Sequence, residues 1–174
     1  LNTLTTLIAE NHDLAINFTQ KLSDVYRYIL QNREKELVTL TDEVGFVQDY
    51  LYLLKMRYPD NLNAEFRIKP EFMRTHIAPL TIQILVENCI KHNIVSKANP
   101  LTIEVYVENG NSIVVKNNLQ PKKAIEKSTQ TGLENIRKRY EYLGNKQIEI
   151  ISTIHHFMVA VPLIEVSFER EGIL

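Results

Sequence analysis

The sequence predicts an α+β fold: an antiparallel helical hairpin, then an α/β sandwich of helices on one mostly antiparallel mixed sheet. Three observations predict it. A seven-residue apolar repeat runs through the first sixty residues, strand-like alternation takes over after Pro59, and Asn109-Gly110 stands between two of the strand patterns. Residues 1–60 are expected to form the hairpin, 61–165 the sandwich and 166–174 a tail.

Leu4, Ile8, Asn11, Ala15, Phe18, Leu22, Val25 and Ile29 alternate spacings of four and three, and only Asn11 is polar. One helix is expected, with Asn11 on its seam. Because Leu4 and Ile8 already fit the repeat, the chain reads as opened inside a helix. A second stripe runs through Leu40, Val44, Val47, Leu51, Leu54 and Tyr58, with Thr39 or Thr41 as its cap and Pro59 at its end. Asp42 and Glu43 fall in its first turn, where negative charge suits the helix dipole. Leu7, Leu14, Tyr26 and Leu30 lie off the first seam. Packing on the downstream domain could cover them, but a second copy forming a four-helix bundle is the expected solution.

Ala64, Phe66 and Ile68 alternate with Glu65, Arg67 and Lys69, as in a half-buried strand. Pro79 sits where a helix over 80–95 would begin. Leu101, Ile103, Val105 and Val107 alternate with polar residues, and SIVVKN follows the Asn-Gly turn. NLQPKKAIEKSTQT has no apolar period and reads as a mobile loop. GLENIRKRYEYL reads as a helix, and QIEII and FMVAVPL as two last strands.

A net charge of −1 supplies no basic field for nucleic acid or an anionic membrane, so neither is an expected partner. The single cysteine, Cys89, excludes an internal disulfide and a cysteine-based zinc site. No apolar run approaches the ~20 residues that cross a bilayer.

Three places carry residues suited to chemistry. On the helix 80–95, Asn88, Lys91 and His92 share a face, with Glu87 beside them. A carboxamide oxygen is a competent Mg²⁺ ligand, a lysine one turn away can meet phosphate, and Glu87 could hold a metal-bound water or orient a nucleophile. Asn117 ends a strand, and its carbonyl could accept from an adenine amino group. Thr131-Gly132-Leu133 opens a helix, where backbone N–H groups can approach phosphate oxygens.

In that order these elements resemble the GHKL nucleotide-binding superfamily, and more narrowly the LytS/YehU-type sensor histidine kinases. PLTIQILVENCIKHNI resembles the N-box of that group, TGLENIRKRYEYLG its glycine box and following helix, and DEVGFVQDYLYLLKMRY its second hairpin helix. LNTLTTLIAE with LSDVYRYIL resembles the tail of the group's P-H-F-L-F-N segment and the helix after it.

The resemblance implies a Bergerat-type sandwich in which ATP and Mg²⁺ bind between the N-box helix and a lid. Asn88 would ligate the metal with Glu87 beside it, Lys91 and His92 would lie at the phosphate end, and Asn117 would face adenine. Thr131, Gly132 and Leu133 would supply contacts at the end of the lid. The γ-phosphoryl would pass to a histidine, then to an aspartate of a response regulator, expected to be of the LytTR type. The protein would be the cytoplasmic portion of a membrane sensor and a homodimer through its hairpin. The acceptor histidine is expected upstream of Leu1, so these residues alone are not expected to autophosphorylate; His12 reads as a surface residue. Two departures stand out: Asn117, Leu119 and Pro121 occupy the family's D-x-G-x-G pattern, and Gln130 replaces an earlier glycine. They leave open a second reading, a dimeric scaffold with weak or no ATP binding.

Overall fold

The computed structural model describes residues 2–122, 130–144 and 146–166. Three helices come first: α1 (Asn2–Glu10), α2 (His12–Asn32) and α3 (Leu40–Arg57). The expected single first helix is therefore two. Asn11 is extended (φ −155°, ψ 100°), and its side chain accepts from the Leu14 N–H at 3.0 Å. An asparagine side chain readily bonds nearby backbone N–H groups, in competition with continuing the helix. As an N-cap it satisfies an orphan donor of the next helix, and that alternative wins here.

Ala15, Phe18 and Val25 of the remaining stripe are buried, and Val25 joins the core cluster that includes Leu40, Val44, Val47 and Leu51 of α3. The Tyr28 and Phe46 rings stack with centroids 4.2 Å apart, and Lys21 bonds Asp49 at 2.6 Å across the hairpin. Each fully buried side chain in such a seam contributes about 1.5–3 kcal/mol. Thr39 caps α3 by accepting from the Asp42 N–H at 3.1 Å. Just before it, β1 (Val38–Thr39) pairs antiparallel with β3 (His76–Ile77), a two-residue ribbon too short to announce itself by alternation.

The main sheet has the order β2 (Leu62–Arg67), β4 (Leu101–Glu108), β5 (Ser112–Asn118), β7 (His156–Pro162), β6 (Glu149–Ser152). Only the β2–β4 pair is parallel. The fold is thus α+β with a mixed, mostly antiparallel sheet. Asn109 and Gly110 turn β4 into β5 with φ of 51° and 73°, the left-handed conformation that asparagine and glycine tolerate best.

One face of the sheet carries Leu101, Ile103, Val105, Ile113, Val115, Val159 and Val161, all buried. Two helices cover it: α4 (Thr81–His92) with Ile82, Leu85, Val86 and Cys89, and α5 (Gln130–Tyr142) with Ile136 and Tyr140. The same core runs on into α3, where Leu40, Val44, Val47 and Leu51 are buried. α4 is shorter than expected, because Asn93 turns extended (φ −108°, ψ 153°). It starts after a left-handed Leu80 (φ 66°).

Candidate nucleotide site

The pattern of β5 places the first wall. Ile113, Val115 and Asn117 share the inward face, so Asn117 sits in a core position and is 1% exposed. Its Nδ2 donates to the Asn118 carbonyl at 2.7 Å, while its Oδ1 is buried with no hydrogen-bond partner. α4 supplies the second wall. Asn88 is half-buried, and its Nδ2 is likewise buried without a partner. Buried amide atoms are paired in the great majority of cases. Two orphans on one concavity leave bonding capacity that a polar ligand could complete.

That concavity is a cavity of about 860 Å³, the size of ordinary small-molecule sites. Asn88 and His92 line it from α4, Asn117 and Phe157 from the sheet, and Leu133 from α5. Gly132 closes over Asn88. A Cβ built on Gly132 would lie 3.6 Å from Asn88 Nδ2, 3.7 Å from its Oδ1 and 3.1 Å from Ile84 Cγ2. A Cβ here would make ordinary contact with the carboxamide but would press on Ile84, which would have to give by a few tenths of an ångström. Thr131 belongs to the same turn, but its side chain lies outside the described residues.

Asn88 and His92, four residues apart, both face the cavity. Burial, reinforced by the Lys91 and Lys122 charges, pushes the His92 pKa below its usual value and favours the neutral ring. Lys91 is exposed and does not line the cavity. Glu87 is exposed too, and accepts from Gln83 Nε2 at 2.9 Å. Of the sequence-derived set, the structure thus brings together Asn88, His92, Asn117, Gly132 and Leu133, and leaves Glu87 and Lys91 on the flank.

Sequence reasoning did not single out Glu134 and Lys138 of α5 as lining residues. The helical period of GLENIRKRYEYL contains the signal, since Ile136 and Tyr140 fix the buried face and so the sides of that helix. Cys89 also lines the cavity. It is 5% exposed, and burial pushes its thiol up to about 12, so it is an inert wall rather than a nucleophile.

The loop after β5 is stitched to the end of α4. Gln120 N–H donates to Asn93 Oδ1 at 2.8 Å, Ile94 N–H donates to the Gln120 carbonyl at 2.9 Å, and Lys122 N–H donates to the His92 carbonyl at 3.0 Å. Lys122 Nζ reaches the Ile90 and Lys91 carbonyls, both at 3.0 Å, placing a cation on the negative end of the helix dipole. Leu119 and Pro121 line the cavity at this edge. The expected mobile loop over 118–131 is therefore anchored as far as Lys122; its residues 123–129 lie outside the described residues.

A histidine kinase family model matches residues 1–62. The sensor histidine kinase/phosphatase LytS of Staphylococcus aureus (strain MRSA252) is 30% identical over 182 aligned residues, covering 93% of this chain and 31% of LytS. The chain thus spans about a third of the length of the curated relatives it matches. A bacterial phosphotransferase structure superposes with a TM-score of 0.50 at 9% identity, over 91% of this chain and 84% of that one, which shows the shared fold. The catalytic domain of histidine kinase ThkA aligns with a TM-score of 0.49 at 21% identity, over 74% of this chain and 97% of that one. Matched to LytS along nearly its whole length, the chain belongs to the histidine kinase family, among the LytS-type sensor kinases.

Proposed function

We propose that this chain is the ATP-binding core of a homodimeric sensor histidine kinase, which passes the γ-phosphoryl to a histidine and then to an aspartate of a response regulator of the LytTR type. The observation that carries the reading is the pair of orphaned carboxamides, Asn88 and Asn117, on two walls of one cavity. Asn117 Oδ1 is an acceptor waiting for a donor, and an adenine amino group is such a donor.

Asn88 is the oxygen ligand suited to Mg²⁺, and a half-turn of its amide exchanges nitrogen for oxygen without changing its shape. Bound there, Mg²⁺ would neutralise phosphate charge. The chain's own residues do the rest by positioning. Leu133 and Phe157 exclude water beside the base and sugar, the N-terminal turn of α5 at Thr131 and Gly132 offers backbone N–H groups, and neutral His92 stands near the phosphate end. Glu87 and Lys91, on the exposed flank of α4, are the groups that an incoming histidine-bearing helix would meet.

Residues 1–60 serve as the dimerising hairpin and 61–165 as the catalytic domain, in the cytoplasmic portion of a membrane sensor. Among the described residues no helix is long and apolar enough to cross a membrane. On the hairpin, Tyr26 and Leu30 are 60% and 77% exposed, and a second copy would cover them.

A thermal-shift titration with Mg²⁺-ATP, against Mg²⁺ alone, tests the reading. Saturation at one hundred times Kd stabilises the fold by about 2.7 kcal/mol, a readily measured rise in Tm. No rise at millimolar Mg²⁺-ATP would leave the scaffold reading, which the neutral Asn117 and the outward-facing Glu87 favour.

A further inference from the structure

α4 begins without a cap of its own. Leu80, its N-cap residue, is left-handed and offers no side-chain hydrogen bond. A helix start leaves about four N–H groups without partners inside the helix. Two of those at the start of α4 are satisfied from another element. Glu43 of α3 accepts from the Leu80 N–H through Oε2 at 3.0 Å and from the Ile82 N–H through Oε1 at 3.0 Å. Tyr28 of α2 donates its hydroxyl to the same Oε2 at 2.6 Å. Glu43 is 0% exposed, so its carboxylate relies on these three donors, with the Arg139 charge nearby, rather than on bulk water.

α5 is tied to the same place. Arg139 donates through Nη1 to the Pro79 carbonyl at 3.4 Å and through Nη2 to the Lys35 carbonyl, in the turn between α2 and α3, at 2.5 Å. The Tyr140 hydroxyl accepts from the Ala78 N–H at 3.2 Å. The hairpin therefore bonds to both helices that wall the cavity: to α4 through the buried Glu43 carboxylate, and to α5 through the exposed Arg139–Lys35 bond, with Arg139 and Tyr140 also bonding the segment that leads into α4. Apolar contacts would let the helices slide; these do not.

We infer that Glu43 is a positioning residue that sets α4, and with it Asn88, according to the arrangement of the hairpin helices. It rests on the nucleotide reading above for its purpose, but not for its geometry. Six residues separate Ile82 from Asn88, about 9 Å of rigid helix, so a displacement at the Glu43 bonds reaches the carboxamide undiminished. Arg139 makes the parallel tie for α5, whose first turn bears Gly132. A change of pitch or rotation between α2 and α3 is thereby delivered to both walls of the cavity, and nucleotide occupancy bears back on the hairpin through the same bonds.

The test uses the ¹⁵N-labelled 174-residue chain and three variants: Glu43→Gln, which keeps the shape but places a donor against a donor; Tyr28→Phe, which removes one bond and keeps the fold; and Val47→Ala, which opens a cavity in the same helix while leaving the Glu43 bonds to the α4 amides in place. The nucleotide-free chain is read first. Glu43→Gln is expected to accelerate exchange of the Leu80 and Ile82 amides about tenfold and to move the side-chain amide resonances of Asn88. Tyr28→Phe should act in the same direction to a smaller extent, and Val47→Ala should leave Asn88 in place despite its loss of stability. If the Asn88 resonances stay put in Glu43→Gln and Tyr28→Phe, or move equally in Val47→Ala, the inference is overturned. Mg²⁺-ATP affinity is read second, with about a tenfold loss expected in Glu43→Gln and less than about twofold in Val47→Ala. A wild-type chain that binds no Mg²⁺-ATP would remove the proposed function while leaving the first readout to decide the positioning role.

Discussion

Gly132 packs over Asn88, and a Cβ built on it would stand in van der Waals contact with the carboxamide nitrogen, at 3.6 Å. The contact joins the first turn of α5 to the middle of α4, so the two helices share one cavity edge rather than lying side by side as separate features.

Gly132→Ala separates helix propensity from site geometry. Alanine favours a helix interior over glycine by about 1 kcal/mol, yet its Cβ would meet Ile84 Cγ2 at 3.1 Å. The helix start must give by a few tenths of an ångström. We expect Tm to change little, while Mg²⁺-ATP affinity falls about fivefold, or about 1 kcal/mol; calorimetric titration reads both sides. Unchanged affinity would mean that the close approach has no bearing on the ligand.

Asn117→Asp replaces the neutral acceptor by the carboxylate usual in histidine kinases. It also loses the bond that Nδ2 gives to the Asn118 carbonyl and buries a charge at a 1% exposed position. The expected result is opposite movement of two quantities: the ligand-free chain loses about 1–3 kcal/mol of stability, and ATP binds more tightly through a charge-assisted bond. Urea unfolding and calorimetry measure them. Weaker ATP binding in the aspartate variant would contradict the assignment of this position to adenine.

Glu43 gives stability a pH dependence of known sign. Burial holds its pKa above the ordinary carboxylate value, although bonds from Tyr28, Leu80 and Ile82 and the charge of Arg139 oppose the rise. Between the unfolded and folded values the folded chain binds more protons. This contribution is therefore full below the ordinary glutamate range and is lost as pH rises through the folded pKa. Glu43→Gln should flatten that decline in urea midpoints measured from acid to neutral pH; an identical slope in both proteins would contradict it.

Leu30→Glu combined with Tyr26→Glu tests the dimer. Both side chains are largely exposed, at 77% and 60%, so the fold should survive and circular dichroism should be unchanged. Light scattering is expected to show a dimer for the wild type and a monomer for the variant. A dimer that persists with both charges in place would move the interface elsewhere.

Much of this architecture was legible because it rests on short-range periodicity. The stripe from Ala15 to Ile29, the alternation through Leu101–Val107 and the Asn109-Gly110 turn each announce an element within a few residues. The α4 segment with Asn88 was legible for the same reason; Asn117 read as a strand-end residue, and its buried, inward position beside Ile113 and Val115 came only from the structure. What escaped depends on partners distant in sequence. Asn11 fits a heptad seam by spacing, and only the conformation of its backbone makes it a cap. Glu43 reads as a first-turn acid of α3, but its partners are 15 to 39 residues away, on α2 and at the start of α4. The exposed placement of Glu87 and Lys91 follows from how α4 is rotated against the sheet, which spacing within the helix alone does not set.

Asn88→Ala, measured by calorimetric titration with Mg²⁺-ATP, tests the central claim most directly. The side chain is half-buried and its amide nitrogen unpartnered, so the variant should fold with near wild-type Tm. The account predicts that Mg²⁺-dependent ATP binding weakens by about a hundredfold or more, the equivalent of about 3 kcal/mol, while any Mg²⁺-independent binding of the base is retained. Wild-type Mg²⁺-ATP affinity in a folded Asn88→Ala chain would contradict it.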